Sequence, residues 1–510
     1  MSQQKSLIKS AGMVTVLLVV SRVLGFLRES AIAYRFGTTA ETDAYVVAST
    51  LPMMLFLAVN DAVKTAFIPV YGEYHRTEEG NVFAQTVFVL LGGILAVTSF
   101  FLVLAAPWIV DLLAPGFSGA QQAVTIVMAR IMLPGLLFMG LTGLASGLLH
   151  VKKNFFFPAI TAYPSNLLII LTALFFGGRY GVVGLAWGTM AGFASQFLIL
   201  VPSVAKHGIF QRLHFQRHHP GIKKMLVLLP PVIIGTAATE LKSIIDRVFG
   251  SLLPTGSIAA LNYANRIYLL PSSIVLVALL SVLYPALVEL FVEEKTAEFK
   301  YTLHHGMGLI ITLMFPIMVG LIVLRVPIVR LLFERGAFDA AATQSTAFAL
   351  AFYSLGLLPL GIMLLMSRAF YAVKDTVTPM LFTFVTMLTN TILNWLLMKP
   401  LAHGGIALGT AISIYIGAVG MTYLMWRKIG AFGGRKLYQT LWKTGLASAV
   451  MGLVVWYGTR FLSGGSFLRQ ALEVGALIAL GAAVYFVLIY LLKVEELQSA
   501  LSLLRRRQQS

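Results

Sequence analysis

The chain contains no cysteine. That excludes disulfides, thiolate metal sites and cysteine nucleophiles. Charge is also scarce: Asp, Glu, Lys and Arg make up 11% of the 510 residues, against roughly 25% in soluble proteins. So few charges cannot solvate the surface of a water-soluble protein of this length. Acidic residues are the scarcest, 20 against 38 Lys and Arg, which leaves a net charge of +18. In a soluble protein that balance would suggest nucleic acid. In a chain that is 58% hydrophobic it reads as basic loops on one side of a membrane, and no nucleic-acid partner is expected. A phosphate-binding Gly-Lys-Ser/Thr loop, a zinc-binding His pair and a nucleophile elbow are all missing. Neither ATP hydrolysis nor covalent chemistry is indicated, so the protein is not read as an enzyme and no resident cofactor is expected.

What the sequence has is apolar length. Residues 86–110, 344–366 and 470–492 each suffice to cross a hydrocarbon core about 30 Å thick. The first apolar run, Ala11 to Val20, continues into Ser21-Arg22 without a cleavage site and reads as a retained helix. The pattern predicts an all-α polytopic membrane protein of about fourteen transmembrane helices. The expected spans are 11–34, 43–71, 83–113, 122–149, 155–176, 181–203, 224–250, 258–290, 303–332, 343–371, 377–397, 404–426, 438–459 and 468–492.

Charge tests that count. The N-terminus, Lys152-Lys153, the stretch Lys206 to Lys224, Arg427-Lys428, Arg435-Lys436 and the tail Arg505–Arg507 fall on one side. That set of loops holds about 20 Lys and Arg, and the alternate set about five, among them Arg35, Arg179, Arg335 and Lys399. The positive-inside rule then places both termini in the cytoplasm of a multi-pass protein. A wrong helix count would scramble this asymmetry.

The sequence also repeats itself. Gly135-Leu136-Leu137 matches Gly356-Leu357-Leu358, and Ser146, Lys153 and Pro158 match Ser367, Lys374 and Pro379, all at a spacing of 221. Gly184, Ala186, Gly188 and Thr189 match Gly405, Ala407, Gly409 and Thr410 at the same spacing. The expected organisation is an N-lobe of six helices (1–212), a C-lobe of six (213–430), and helices 13 and 14 with a basic tail (431–510). Parallel repeats of this kind occur in transporters that hold substrate between the halves and rock one against the other.

Ionisable side chains at membrane depth are costly and mark a pathway by default. Here they are Arg22, Arg28 and Glu29 on helix 1, then Asp43, Asp61 and Lys64 on helix 2. Helix 7 adds Glu240, Lys242, Asp246 and Arg247, and helix 8 adds Arg266. Ser21, Gly25 and Arg28 share a stripe, with Arg22 and Glu29 on the next one. Asp61 with Lys64, and Lys242 with Asp246, are spaced to pair, either to hold helices together or to line a path. Arg28 and Arg266 come from equivalent regions of the two halves and lack an obvious local partner. A guanidinium binds phosphate oxygens bidentately and stays charged when buried, so this pair suits an anionic ligand. Asn390, Asn394, Thr410 and Asp246 offer oxygen ligands for a monovalent cation, or simply hydrogen bonds between helices. His150, His304 and His305 lie near helix ends and read as interfacial.

The stretch Ser21-Arg-Val-Leu-Gly-Phe-Leu-Arg28-Glu29, followed by Phe36-Gly37 and Thr42-Asp43-Ala44, resembles the start of the MurJ (MviN) family. These are bacterial lipid II flippases within the multidrug/oligosaccharidyl-lipid/polysaccharide exporter superfamily. Ala114-Pro-Gly-Phe117, Ile245-Asp-Arg247, Leu261-Asn-Tyr-Ala-Asn-Arg266 and Arg335-Gly-Ala-Phe338-Asp339 carry the resemblance through the chain. It implies two six-helix lobes plus two helices that form a groove for a lipid tail. It also implies movement of an undecaprenyl-diphosphate-linked disaccharide-pentapeptide from the inner to the outer leaflet of the bacterial inner membrane. The cavity residues it implies are Ser21, Arg22, Arg28, Glu29, Asp43 and Arg266. Its sodium site falls on Asp246, Asn390, Asn394 and Thr410, with asparagine at 394 where the family often has aspartate. Coupling to sodium or to membrane potential and a monomeric state are the matching expectations. One departure stands out: after Leu51-Pro52, where the family usually carries arginine, this chain has Met53-Met-Leu-Phe-Leu57. Lys64 is the candidate replacement, with Asp61 beside it. A flippase for another polyprenyl-linked saccharide, a cation-coupled drug exporter of the same superfamily, and a non-transporting membrane assembly protein remain open alternatives.

Overall fold

A computed structural model describes residues 2–75, 77–209 and 215–498. It describes their side chains except at 2–11, 56, 58, 61, 62, 64, 78 and 230–239. Arg212 and the basic tail Arg505–Arg507 therefore lie outside the described residues. Among the described residues there is no strand. The first part of the chain forms α1 (Ser2–Phe36), α2 (Ala40–Tyr74), α3 (Glu78–Leu113), α4 (Gly119–Met132), α5 (Gly135–Val151), α6 (Phe156–Ile160), α7 (Ala162–Leu171), α8 (Gly177–Leu198), α9 (Val201–Ala205) and α10 (Pro220–Ser251). Then follow α11 (Ser257–Pro271), α12 (Val277–Val292), α13 (Thr296–Val323), α14 (Arg325–Phe333), α15 (Ala340–Leu355), α16 (Leu357–Ala372), α17 (Val377–Ile429), α18 (Gly434–Gly458) and α19 (Phe467–Leu491). Single turns of π-helix join α7 to α8 and α11 to α12.

Among the described residues, seven helices are long and apolar enough to cross a membrane. The pair α15–α16, bent by 43° at its break, counts as an eighth if it crosses as one span. Two of the seven runs, Phe156–Ala205 and Val377–Ile429, hold 50 and 53 residues. At 1.5 Å per residue each is about twice as long as one crossing needs. α1, α2 and α10 carry several ionisable residues within their length. A count of fourteen crossings is consistent with these lengths. Trp108, Trp187, Trp395 and Trp442 are all well exposed, as befits side chains that meet lipid.

Connecting loops were expected at 177–180 and 398–403. Instead the chain reverses at one residue in each place, Gly181 (φ 57°, ψ −152°) and Ala402 (φ 47°, ψ −131°). The arms then fold back on each other. A Cβ at Gly188 would strike Thr172 and one at Gly192 would strike Ser165. In the second half Gly409 lies against Asn394 and Gly417 against Thr386. Small residues allow such close approach of helices in a membrane, which accounts for the repeated glycines. The loops one hairpin earlier also match. Lys153 N–H bonds to His150 O, and Asn154 N–H to Leu149 O. Lys374 N–H bonds to Tyr371 O, and Asp375 N–H to Phe370 O. Both lysines are left-handed, at φ 59° and 62°. The 221-residue repeat is thus written in backbone angles as well as in side chains.

The chain divides into two compact units, one of residues 1–259 with 335–338, the other of 260–334 with 339–510. In the first, α10 packs along α2, and α5 and α4 against α2 and α3. Its buried apolar residues form two clusters. One joins Ala31, Val47, Val110, Met128 and Leu185. The other joins Phe67, Tyr71, Phe83, Leu148 and Val204. In the second unit α13 packs on α18 and α16 on α17, and Met451, Val455, Tyr485 and Ile489 form the core of α18 and α19.

Candidate functional site

In the first unit, α1 carries Arg28 and Glu29 into the interior. Arg28 was expected to lack a local partner; its Nη2 lies 2.6 Å from Glu29 Oε1. Its Nη1 donates to Asn166 Oδ1 of α7 at 3.2 Å. The side chains of Arg28 and Glu29 are 20% and 8% exposed. A guanidinium has five N–H donors, more than these two contacts use. The neighbouring carboxylate and carboxamide fix the direction of the fork. Beside it, the Tyr45 hydroxyl and Thr189 Oγ1 are buried 2.9 Å apart. Thr189 is the repeat counterpart of Thr410. Asn166 and Tyr45 escaped the sequence reading. The signal available for Asn166 was a carboxamide inside an apolar span.

Asp43 begins α2 and is fully buried. Its Oδ2 accepts from Gly256 N–H at 2.6 Å and its Oδ1 from Ala259 N–H at 2.7 Å. Gly256 immediately precedes α11 and Ala259 lies in its open first turn, where a carboxylate is favoured by the unpaired N–H groups and the helix dipole. Gly256 has φ 87° and lies so close to the Thr38 carbonyl that a Cβ would overlap it. Asp43 therefore staples the α1–α2 turn to the α10–α11 turn. The same turn is held elsewhere: Ala337 N–H donates to Tyr34 O at 2.8 Å, and Gly37, at φ 60°, abuts the Ala337 carbonyl.

The other expected residues are more scattered. Ser21 is half-buried and Arg22 exposed on α1. Asp61 and Lys64 lie on α2, but their side chains fall outside the described residues. Lys242 and Asp246, four apart on α10, interact electrostatically. Arg266 is exposed on α11 in the second unit. There too, Asn390 and Asn394 are fully buried and exchange amide hydrogen bonds at 3.3 Å. Asn390 Nδ2 also donates to Thr410 Oγ1 at 3.1 Å. These three polar groups meet across the Ala402 reversal. Their oxygens are of the type sodium takes, but the trio brings no negative charge, and its amides already satisfy one another. Asp246, the fourth member of the expected set, belongs to the first unit. Among the described residues no group of three or more His, Cys, Asp or Glu side chains is placed to hold a metal ion.

A family model described as the lipid II flippase MurJ matches residues 32–473. The probable lipid II flippase MurJ of Vibrio cholerae is 29% identical over 516 residues, covering 96% of this chain and 97% of its own length. The corresponding protein of Rhizobium tropici is 31% identical over 490 residues, 92% of either chain. A solved structure titled lipid II flippase MurJ, inward closed conformation, matches 93% of this chain and 97% of its own at 27% identity, with a TM-score of 0.80. An inward-facing multidrug resistance MATE transporter matches 81% of this chain with a TM-score of 0.70, but at 16% identity it shares the fold alone. With a family model spanning most of its length, and relatives aligned nearly end to end, the chain belongs to the lipid II flippase MurJ family.

Proposed function

We propose that this chain is a flippase that carries lipid II from the inner to the outer leaflet of the bacterial plasma membrane for cell-wall synthesis. The observation that carries this reading is the lipid II flippase family match over residues 32–473. The geometry around Arg28 suits it. A fixed guanidinium with unused donors offers a bidentate grip on a diphosphate, and Glu29 and Asn166 hold it in place. Arg266 is proposed as the second cationic contact, with Ser21 and Arg22 flanking the first. The polyprenyl tail stays in lipid while the lobes alternate. The excess of Lys and Arg on one set of loops supports a cytoplasmic location for both termini. An inside-negative potential then favours outward transfer of the anionic head group, at about 2.3 kcal/mol per charge per 100 mV. Sodium coupling through Asp246, Asn390, Asn394 and Thr410 is a further proposal, tested by sodium dependence of transport in vesicles.

The decisive experiment is growth of a flippase-depleted cell carrying Arg28→Ala. Growth support should vanish with protein level intact, and full growth would remove Arg28 from the mechanism. Lys64→Ala in the same cells asks whether that lysine stands in for the missing helix-2 arginine. That missing arginine favours one other reading, a flippase for a different polyprenyl-linked saccharide. Translocation of purified lipid II measured against such a saccharide separates the two.

A further inference from the structure

The two halves part company at one position where the repeat would make them alike. Gly140, Gly143 and Gly147 lie one turn apart along α5. A Cβ at Gly140 would strike Leu95 and crowd Val59, one at Gly143 would crowd Asn60, and one at Gly147 would touch Phe67 and Ile68. These glycines let α2 lie close along α5. At the repeat spacing of 221 the second half keeps the first of them as Gly361, whose bare face meets Ile310 and Leu276. The other two positions hold Leu364 and Arg368. Where the first unit has a glycine against Phe67, α16 of the second unit thus carries a guanidinium.

Arg368 is exposed. Its guanidinium carbon lies 5.4 Å from the centre of the Tyr284 ring on α12, within range of a cation–π contact. Arg368 sits four residues before the end of α16, and Tyr284 eight before the end of α12. At 1.5 Å per residue these are about 6 and 12 Å inside the helix ends. A Cα–Cβ bond tilts toward the N-terminus of its helix, so the arginine leans away from the end of α16. An arginine that snorkels to the membrane edge does the reverse. Neither Arg368 nor Tyr284 has a hydrogen-bond or carboxylate partner among the described residues. By contrast Lys428, which reaches the loop just after α16, pairs with Asp375 at 2.7 Å. A charge left unmatched inside a span is costly, and such charges mark a substrate path by default. Stacking on the ring occupies one face of the guanidinium and leaves its N–H edge, which matches a pair of phosphate oxygens. The Tyr284 hydroxyl adds one more donor.

We propose that Arg368, seated on Tyr284, is a further contact for the phosphate oxygens of the lipid-linked substrate. The proposal rests on the flippase reading and deepens it. With both termini cytoplasmic, the end of α16 that carries Arg368 faces the inner leaflet, where the head group is loaded. Arg368 grips the anion through its fork, and Tyr284 holds the fork in place and adds its hydroxyl. The first unit has a glycine at the matching position, so the contact belongs to the second unit alone.

The test is equilibrium binding to the purified full-length protein in detergent, titrated with lipid II and separately with phosphatidylglycerol. Arg368→Gln should weaken lipid II binding about tenfold and leave phosphatidylglycerol binding as it was. Arg368→Lys restores the charge without the fork and should recover only part of the loss. Tyr284→Phe keeps the ring, removes the hydroxyl and should weaken lipid II binding about threefold. If Arg368→Gln does not fold, Tyr284→Phe decides by the same comparison. Unchanged lipid II binding overturns the proposal and leaves the flippase reading standing. An equal loss for both lipids also overturns it, because Arg368 would then be a general phospholipid contact. A wild-type protein that ignores lipid II is a different result, and it removes the flippase reading together with this contact.

Discussion

Ala402 repeats the backbone conformation of Gly181, its counterpart 221 residues earlier, with φ 47° and ψ −131° against φ 57° and ψ −152°. Glycine occupies that region freely and alanine does so under strain. The first half of the repeat is thus built from a suitable residue and the second half is not. Ala402→Gly should stabilise the purified protein by about 1 kcal/mol, and Gly181→Ala should destabilise it by at least as much. Thermal unfolding in detergent measures both. A lower midpoint for Ala402→Gly would mean that the alanine methyl makes contacts worth more than the strain.

The Asp43 staple makes a separable prediction. Both carboxylate oxygens accept from backbone donors, so Asp43→Asn turns one acceptor into an NH2 group facing an N–H. The loss should be about 1–3 kcal/mol, seen as a lower thermal midpoint in purified protein. Growth support should fall in step with stability. An unchanged midpoint with lost growth support would put Asp43 on the substrate path instead.

Asn166 reaches Arg28 across more than a hundred residues of sequence. Losing a hydrogen bond to a charged group costs about 1.5–3 kcal/mol. Asn166→Ala should therefore lower the thermal midpoint and, by releasing the guanidinium from its fixed direction, also weaken lipid II binding. Binding titrations on purified protein check this. Equal affinities in the two proteins would confine Asn166 to packing.

His219 supplies a pH dependence. It caps the start of α10, with Nδ1 accepting from Gly221 N–H at 3.1 Å, and its ring packs against Tyr74 and Phe83. Burial pushes its pKa below the ordinary 6.5, and the opposing pull of Glu79 is weaker. A lowered folded-state value means that the neutral ring belongs to the folded state. Its contribution is full above 6.5 and is lost as pH falls through the folded value. Amide exchange at residues 215–224, corrected for intrinsic rate, should rise on acidification. His219→Asn keeps a capping acceptor and should flatten the response.

The all-helical membrane character and the repeat were legible in the sequence because hydrophobic length is a local property and a repeat is read by direct comparison. Lys153 with Lys374, and Gly188 with Gly409, could be paired by eye, although their reason, matched turns and close hairpin arms, is visible only in three dimensions. The sequence suggests loops at 177–180 and 398–403 where the chain turns at Gly181 and Ala402 alone, since nothing in Leu401-Ala402-His403 announces a one-residue turn. Site chemistry was less legible. Arg28 and Glu29 were placed on neighbouring stripes of an ideal helix, yet long side chains from adjacent positions met. Arg368 looks like an ordinary charge near a helix end until α12 brings Tyr284 against it. Tertiary neighbours decide such contacts, and spacing along one helix does not contain them.

α10 lies in the half of the sequence expected to form the C-lobe but packs along α2, within the first compact unit. A cut at the boundary that the sequence suggests between the lobes, 212/213, would therefore part α10 from α2. A fragment ending there would leave α2 without α10 along its side, and its complement would begin with a helix stripped of its bed. A break just after the α10–α11 turn, beyond Ala259, would keep α10 on α2 and leave the Asp43 staple within one piece.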